Sequence, residues 1–481
     1  MKYDVIITQT LGKGKYNEIN WHIIDQDKVF QFKSYLSSIA VLNYLREKGL
    51  DPLLIILLPM SLFDISDLDN TIELCRDSKH IENLAIDILK DTEIHDQLNK
   101  YNVKYYVIPS FGIYRKKVLT KFIADPDTIE TCIFSILYSY LSKSYGYLYY
   151  DVSTGWNQYN LIISDAVRAM VTYSKLKSLF RNSISAYEVQ AEPVTNVKES
   201  NIYFKPIDAK AFFIIPFKIE RLKRLGEISK LTNYIKPYEN NIDDAIHIQK
   251  KGVDSNFSSM VKKLLNDLRK LYNGVTLNTP LALLDHDITD VTIDPNELEK
   301  IFYNHLIEFM KYDYHIDNNI IVLRWRRMSF DEIRKLYYSI ALYSGLRGKI
   351  LDIRNKAVRD GWVDLENLRK SFSELYDDLN LELNKRFLNR DIEEIKFKVK
   401  RWRDEYQTDI FQLKLLYDCI KDVGAPDIKR NFFAHSGLER SMVELNIKKD
   451  DILIRYMDKI SAGDKETKIK KLVTRWIEKP D

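Results

Sequence analysis

The stretch Lys429–Arg440 reads KRNFFAHSGLER and holds the residue types most able to do chemistry. Pro426 favours the first turn of a helix beginning just there, since proline lacks an N–H that the first turn leaves unpaired anyway. On that helix Asn431 and His435, four residues apart, share one face. Arg430 projects about 140° away from His435 at 100° per residue. Histidine passes protons near neutral pH, arginine stabilises a phosphate oxyanion, and asparagine can orient either. The set suits metal-free cleavage of RNA: the ribose 2′-OH attacks its own phosphorus in line, leaving a 2′,3′-cyclic phosphate and a 5′-OH. One helix leaves Arg430 and His435 diverging, whereas two helices packed about a twofold axis bring two Arg and two His into one cleft. On spacing alone, an amphipathic helix with a casual Arg and His is the simpler account.

A second set lies at Asp151–Asn157, DVSTGWN, between a strand and a helix. Ser153 and Thr154 offer small hydroxyls, Gly155 permits close backbone approach, and the helix that follows Asn157 presents an N-terminus favourable to phosphate. Thr10–Lys15, TLGKGK, ends the first strand and contributes Thr10, Gly12 and Lys13. It lacks the spacing of a Walker loop and is incomplete as a dinucleotide fingerprint. In a parallel sheet both loops leave the C-terminal edge, where ligands bind at the point of strand-order reversal. Either loop alone is equally an ordinary strand–turn–helix corner. Arg324–Arg327 (RWRR) and Lys396–Arg403 (KFKVKRWR) interleave bases with aromatics and can guide single-stranded RNA by charge and stacking. A solvated helix face or a subunit contact explains each of these as well.

The elements that must position these residues follow from periodicity. Strand patterns occur at Tyr3–Thr8, Leu53–Leu58, Val103–Ile108 and Gly146–Tyr150, with a hairpin at Trp21–Ile24 and Val29–Phe32. They alternate with helical stretches at Tyr35–Lys48, Ile81–Lys100, Thr128–Ser142 and Tyr159–Lys177. Continuous apolar strands between helices predict a Rossmann-like α/β domain with a parallel sheet covered on both faces. Ser185–Gln190 and Ala211–Ile215 are further strand-like pieces, and Leu231–Asp244 reads as a linker. The rest predicts an α-helical bundle: Phe257–Tyr272, Asn296–Lys311, Phe330–Leu346, Leu365–Phe387, Ile392–Glu405, Ile410–Ile420, a helix from about Pro426, and Asp451–Ser461. Lys465–Lys471 reads as a solvated end. The expected fold class is α/β followed by all-α.

Composition bounds the function. A chain of 481 residues predicts two to four domains, and 45% hydrophobic with 30% charged residues suffices for buried cores. The net charge is only +4, and neither half of the chain is a basic nucleic-acid footprint, so local patches must choose the partners. Cys75, Cys132 and Cys419 lie far apart, and the eight His, among them His22, His80, His95 and His305, are dispersed without HExxH or Cys/His ligand spacing. Neither a disulfide framework, nor a structural zinc site, nor a metal hydrolase is readable. Met1–Thr10 has a strand pattern rather than that of a signal peptide, and Leu53–Leu58 is too short to span a bilayer, so a cytoplasmic protein with no membrane partner is expected.

Arg430, Asn431 and His435, with the trailing Ser436-Gly437-Leu438-Glu439, resemble the R-N-x-x-x-H motif of HEPN nucleases and its usual continuation. Asp151–Asn157 resembles the D-x-[ST]-x-G-x-N loop of CARF domains. Together, in this order, they make the chain similar to the CARF–HEPN CRISPR-associated ribonucleases of type III systems. The resemblance implies a CARF sensor over 1–190, a connector over 191–245 where the family often carries a small helix-turn-helix-like piece, and a HEPN nuclease over 246–481. It implies Arg430, Asn431 and His435 as catalytic residues. Thr10, Gly12, Lys13, Asp151, Ser153, Thr154, Gly155 and Asn157 would then bind a cyclic oligoadenylate, cyclic tetra-adenylate first. It further implies a single-stranded RNA substrate, no cofactor or metal for catalysis, and a homodimer or higher even-numbered oligomer. Two other readings stay open: a ligand-responsive nucleic-acid-binding regulator without nuclease activity, and a catalytically silent scaffold. Whether the sensor also cleaves its own ligand is equally open, since Ser153 and Thr154 decide nothing.

Overall fold

The computed structural model describes residues 5–12, 16–26, 28–63, 94–115, 118–141, 146–153, 157–179, 183–193, 198–207, 235–236, 255–309, 312–325, 327–403, 410–417, 427–448, 451–462 and 465–480. The N-terminal half runs β1 (Val5–Thr10), β2 (Ile19–Asp25), β3 (Lys28–Ser34), α1 (Ser37–Glu47), β4 (Pro52–Pro59), α2 (Ile94–Leu98), β5 (Val103–Ile108), β6 (Gly112–Arg115), β7 (Leu119–Ile123), α3 (Pro126–Leu141), β8 (Tyr147–Asp151), α4 (Asn157–Ser178), β9 (Ser185–Ala191) and β10 (Glu199–Ile207). Eight strands form one sheet in the order β3-β2-β10-β9-β8-β1-β4-β5. The five from β9 to β5 are mutually parallel. β10 runs antiparallel to β9 and carries the β2–β3 hairpin, so the sheet continues to Ile207.

Burial on both faces accounts for the continuous apolar run of β4 and for the complete burial of β1, whose Thr8, Gln9 and Thr10 are buried polar residues. Successive side chains alternate between two cores. Leu53, Ile55 and Leu57 enter the core that includes α3 and α4, while Leu54, Ile56 and Leu58 pack with residues of α1. The chain winds β1, β4, β5 to one side and β8, β9 to the other. Strand order therefore reverses between β1 and β8, which pair with Gln9 opposite Asp151.

The C-terminal half contains β11 (Ile235–Lys236), α5 (Ser255–Thr276), α6 (Pro280–Leu284), α7 (Pro295–Phe309), β12 (Tyr312–Asp317), β13 (Ile320–Trp325), β14 (Arg327–Met328), α8 (Phe330–Ala357), β15 (Val358–Arg359), β16 (Trp362–Asp364), α9 (Leu365–Asp378), α10 (Glu382–Arg403) and β17 (Ile410–Gln412). After a 3₁₀ turn at Leu413–Tyr417 come α11 (Ile428–Ala434), β18 (Val443–Lys448), β19 (Asp451–Tyr456), β20 (Lys459–Ala462), β21 (Lys465–Lys468) and α12 (Ile469–Glu478).

This half is helical at its centre but carries more strand than its sequence suggests. β15-β16-β19-β18-β17 form a five-stranded sheet, so Asp451–Ser461 is not a helix. In β18, Val443, Leu445 and Ile447 alternate with Glu444, Asn446 and Lys448, a period of two that antiparallel pairing with β19 satisfies. Ile410–Ile420 likewise begins as β17 and a 3₁₀ turn. The stretch Leu365–Phe387 divides into α9 and α10 at Asn380, whose positive φ of 54° ends a helix. Lys465–Lys471 is no solvated end, because Ile469, Val473 and Ile477 recur on one buried face of α12. The strand-like piece Ala211–Ile215 and the linker Leu231–Asp244 lie almost wholly outside the described residues.

The two halves are joined by main chain as well as side chains. β7 pairs in parallel with β13, closing the four-stranded sheet β12-β13-β7-β6. Trp325 is buried there beside Phe122 and Tyr312, so its ring offers no stacking platform for bases, while Arg326 and the side chain of Arg327 lie outside the described residues. Helix α4 lies along α8, and Glu299 of α7 is enclosed between the halves. Its carboxylate accepts hydrogen bonds from the Tyr138 hydroxyl at 3.0 Å, the Tyr173 hydroxyl at 2.6 Å and Lys177 Nζ at 2.8 Å. Three donors offset the cost of burying that charge.

Candidate functional site

Helix α11 begins at Asp427, whose carboxylate accepts the Arg430 N–H at 3.0 Å as an N-cap. The helix is seven residues long and ends at Ala434, leaving His435 as its C-cap with φ −114° and ψ 43°. Asn431 stays in register with His435 through its carbonyl, which accepts the His435 N–H at 3.0 Å. The chain then turns sharply through two left-handed residues, Ser436 at φ 53° and Gly437 at φ 72°. A Cβ on Gly437 would lie 3.1 Å from Thr279, so glycine meets both the backbone and the space requirement here. The Tyr456 hydroxyl donates to the Gly437 carbonyl at 2.8 Å, and Asn278 Nδ2 donates to Ser436 Oγ at 2.9 Å.

This locked turn sets His435 into a cleft lined also by Asp391, Glu394, Ile395, Leu413, Tyr417, Leu438 and Arg440. Asp391 of α10 is the residue that sequence reading missed. Its side chain is 6% exposed, Oδ2 accepts the Ser436 hydroxyl at 2.7 Å, and Oδ1 lies 3.9 Å from His435 Nδ1. That separation is ion-pair rather than hydrogen-bond range. Oδ1 also accepts from Arg390 Nη2 at 3.3 Å, so the carboxylate is held on the Nδ1 side of the ring and Nε2 is the nitrogen available to a ligand. Arg430 is exposed on the first turn of α11, and neither it nor Asn431 lines the cleft. One chain therefore does not converge the three motif residues on a single point.

At the other end of the chain, β1 and β8 deliver their loops to the same sheet edge. Asp151 is fully buried, and burial pushes its carboxyl pKa up against the hydrogen bonds that favour its charge. It accepts the Ser37 hydroxyl at 2.6 Å and the Ser153 N–H at 2.8 Å, which pins the loop to the start of α1. The Ser153 hydroxyl accepts the Ala191 N–H at 2.9 Å. Thr10 is buried, with its hydroxyl 3.4 Å from Asn160 Oδ1, and Asn160 Nδ2 donates to the Val152 carbonyl at 3.0 Å. Asn160, one turn into α4, thus ties both loops together. Its position three residues beyond Asn157 was the only sign of it in the sequence. Tyr16 closes the first loop: Gly12 donates to its hydroxyl at 3.2 Å, and the hydroxyl donates to the Gly12 carbonyl at 2.9 Å. Lys13, Thr154 and Gly155 lie outside the described residues, as does the side chain of Asn157.

Two family models match the chain, one described as CRISPR system endoribonuclease Csx1, CARF domain, over residues 6–193, and one as CRISPR system endoribonuclease Csx1, HEPN domain, over residues 381–459. The chain belongs to the CARF–HEPN CRISPR-associated endoribonucleases. The CARF match takes in the parallel sheet and both edge loops. The HEPN match begins at α10 and includes Asp391, the turn after α11 and the β18–β19 hairpin. No curated protein matches the chain. Among the described residues, no group of His, Cys, Asp and Glu is arranged to hold a metal ion, and no helix is long and apolar enough to cross a membrane.

Proposed function

We propose that this endoribonuclease cleaves single-stranded RNA without a metal and is activated by a cyclic oligoadenylate, cyclic tetra-adenylate in the first instance, in type III CRISPR defence. The observation that carries the reading is His435, fixed in an open cleft with the buried Asp391 carboxylate behind it. In the reaction O2′ forms a bond to phosphorus while the P–O5′ bond breaks. The 2′-OH proton leaves to a base and O5′ receives a proton, giving a 2′,3′-cyclic phosphate and a 5′-OH. His435 serves proton transfer, Arg430 neutralises a non-bridging oxygen, and Asn431 orients the pair. Duplex RNA restrains the in-line approach, which makes single strands the substrate.

The active form is a homodimer. His435 enters the cleft while Arg430 remains outside it, so a second copy is what supplies the missing arginine. Leu383, Phe387 and Phe397 are exposed on α10 and fall within about 80° of one another at 100° per residue, an apolar face that borders the cleft. On the sensor domain Leu161 of α4 is likewise an exposed apolar side chain, 71% open. The ligand edge comprises Thr10, Gly12, Lys13, Asp151, Ser153, Thr154, Gly155 and Asn157, with Asp151 and Ser153 holding the loop rather than touching the ligand. A ligand with its own twofold axis fits the dyad, and its preference for one state shifts the dimer toward it.

The test is labelled RNA incubated with pure protein in EDTA, with and without cyclic tetra-adenylate. Ligand-stimulated cleavage leaving 2′,3′-cyclic phosphate ends supports the proposal. Loss of activity in EDTA, or equal cutting of an all-DNA strand, overturns the mechanism; cleavage indifferent to every cyclic oligoadenylate overturns the regulation.

A further inference from the structure

The turn that fixes His435 also fixes a cation, Arg440, in the same cleft. Arg440 lies five residues on, past Ser436 and Gly437, and the turn folds it back beside His435. Its guanidinium carbon stands 3.6 Å from the centroid of the Tyr417 ring, and one guanidinium nitrogen is 3.9 Å from Glu394 Oε1. Lys398 Nζ lies 4.2 Å from the same centroid. Tyr417 is buried and cannot itself serve as a stacking platform for bases, but it holds two cations in place at the cleft. An arginine stacked on a ring keeps its planar fork in one orientation and loses little entropy when it takes up an anion. About a third of the Arg440 side chain remains open to solvent, and Glu394, its carboxylate partner, is more exposed still at 42%. A pair so exposed holds its arginine weakly, and an incoming phosphate can replace the carboxylate.

We infer that Arg440 is a substrate-binding residue of the nuclease: it grips an RNA backbone phosphate adjacent to the one attacked at His435, with Tyr417 positioning it and Glu394 as the partner it gives up. The inference rests on the proposed cleavage at His435. It goes further in assigning a phosphate subsite to a residue outside the Arg430–Asn431–His435 set, supplied by the same chain as the histidine. Lys398, on the turn of α10 that faces Tyr417, adds a second positive charge beside that ring.

A single phosphate contact has a signature that packing lacks. Each phosphate neutralised on a single strand contributes about −0.7 to the slope of log affinity against log salt concentration. Binding of a single-stranded RNA is measured across a salt series in the His435→Ala background, with Arg440 intact or changed to Gln. Gln keeps a planar polar group on a shorter stem and removes the charge, and it is the charge that the salt slope reads. The expected result is a slope shallower by about 0.7, with affinity at low salt reduced several-fold, and a KM raised several-fold with smaller loss of kcat when Arg440→Gln is made in the active enzyme. Arg440→Lys keeps the slope and loses part of the affinity. Arg168→Gln on the sensor helix α4 leaves both unchanged. A slope unaltered by Arg440→Gln while the parent protein binds and cleaves RNA overturns the subsite alone. Absence of RNA cleavage by the wild type instead removes the reading on which it rests.

Discussion

Gly345→Ala tests whether the two halves of the molecule act as one body. Glycine inside a helix costs about 1 kcal/mol relative to alanine, so Gly345 in the middle of α8 needs a compensating reason. The reason is close approach: a Cβ there would lie 2.6 Å from the Leu176 carbonyl oxygen, 2.9 Å from that of Lys177 and 3.0 Å from Leu179 Cδ2. Two of the three are backbone atoms at the end of α4 and cannot rotate aside. Reaching an ordinary contact of 3.4 Å from 2.6 Å requires α4 and α8 to part by about 0.8 Å. Overpacking of this kind costs roughly 1–3 kcal/mol. With backbone as the obstacle the upper end applies, and the regained helix propensity leaves a net loss of ~2 kcal/mol. That corresponds to a fall in Tm of about 2 °C if the whole chain unfolds as one unit, and roughly 4–8 °C if a 150–250-residue half unfolds alone. Because α4 starts at the ligand edge, the variant should also bind cyclic tetra-adenylate with near-normal affinity while the ligand's stimulation of RNA cleavage falls. Thermal scans, calorimetry and cleavage assays with and without ligand read these separately. Gly348, three residues on, has nothing within 4 Å of its Cβ position, so Gly348→Ala should leave stability unchanged or slightly raised. A Gly345→Ala protein with wild-type Tm and full stimulation would refute the reasoning.

His435→Ala should lose at least ~100-fold in RNA cleavage while retaining ligand affinity, the loss expected of a proton-transfer group; near-normal turnover removes His435 from the mechanism. Asp391→Asn keeps shape and an acceptor for the Ser436 hydroxyl but removes the charge 3.9 Å from Nδ1, so kcat should fall about tenfold, less than for His435→Ala, with stability lowered by no more than about 1 kcal/mol; equal losses in the two variants contradict a supporting role. Glu130 of α3 has its pKa pushed up to about 8, chiefly by burial and then by Asp165, with Arg334 opposing. A carboxyl whose folded pKa lies above its unfolded value favours the fold while protonated, so its contribution is full below the unfolded value of 4.5 and is lost as pH rises toward 8. Glu130→Gln should therefore match the wild type in Tm near pH 5 and exceed it at pH 8; parallel Tm curves across that window exclude the effect.

Much of the sensor half is legible because both-face burial leaves a plain signature. The stretches read as strands at Tyr3–Thr8 and Leu53–Leu58 correspond to β1 and β4, and their C-terminal ends lie at the proposed ligand edge. The nuclease half is harder, since Ile452, Ile454 and Tyr456 are two apart but Leu453 falls between them, so the run also satisfies a short helical count; only pairing with β18 decides between them. Trp325 between arginines reads as a nucleic-acid contact, yet its environment is set by Phe122 two hundred residues earlier, which no local pattern reveals. Asp391 sits in DIEEIK, where an acid looks like part of a solvated face. Its neighbours Leu388, Ile392 and Ile395 recur at helical spacing and are buried, so a carboxylate within that stripe was the available sign of a buried charge with a task. The motif residues themselves were legible by type, but the angle between Arg430 and His435 assumed a helix that in fact stops at Ala434.

Activation as proposed requires the ligand edge and the cleft to share an element with two states, and contiguous packing narrows where that element can lie. Asn160 and Tyr159 tie the first turn of α4 to the edge loops and to Ser110. The far end of α4 is held by Glu299 through Tyr173 and Lys177, and by the carbonyls against Gly345. Helix α8 then leads directly into β15 and β16, and β16 pairs with β19. From β19 the Tyr456 hydroxyl reaches the Gly437 carbonyl, two residues beyond His435. Every step in this series is main chain, a buried or half-buried hydrogen bond, or the close α4–α8 approach at Gly345, which leaves little slack to absorb a shift of α4. Allosteric coupling free energies are typically 1–3 kcal/mol, the size of one or two buried hydrogen bonds gained or lost. A displacement small enough to strengthen or break the Tyr456–Gly437 contact is therefore large enough, in energy, to account for activation, and it would act on the turn that holds both His435 and Arg440 in the cleft.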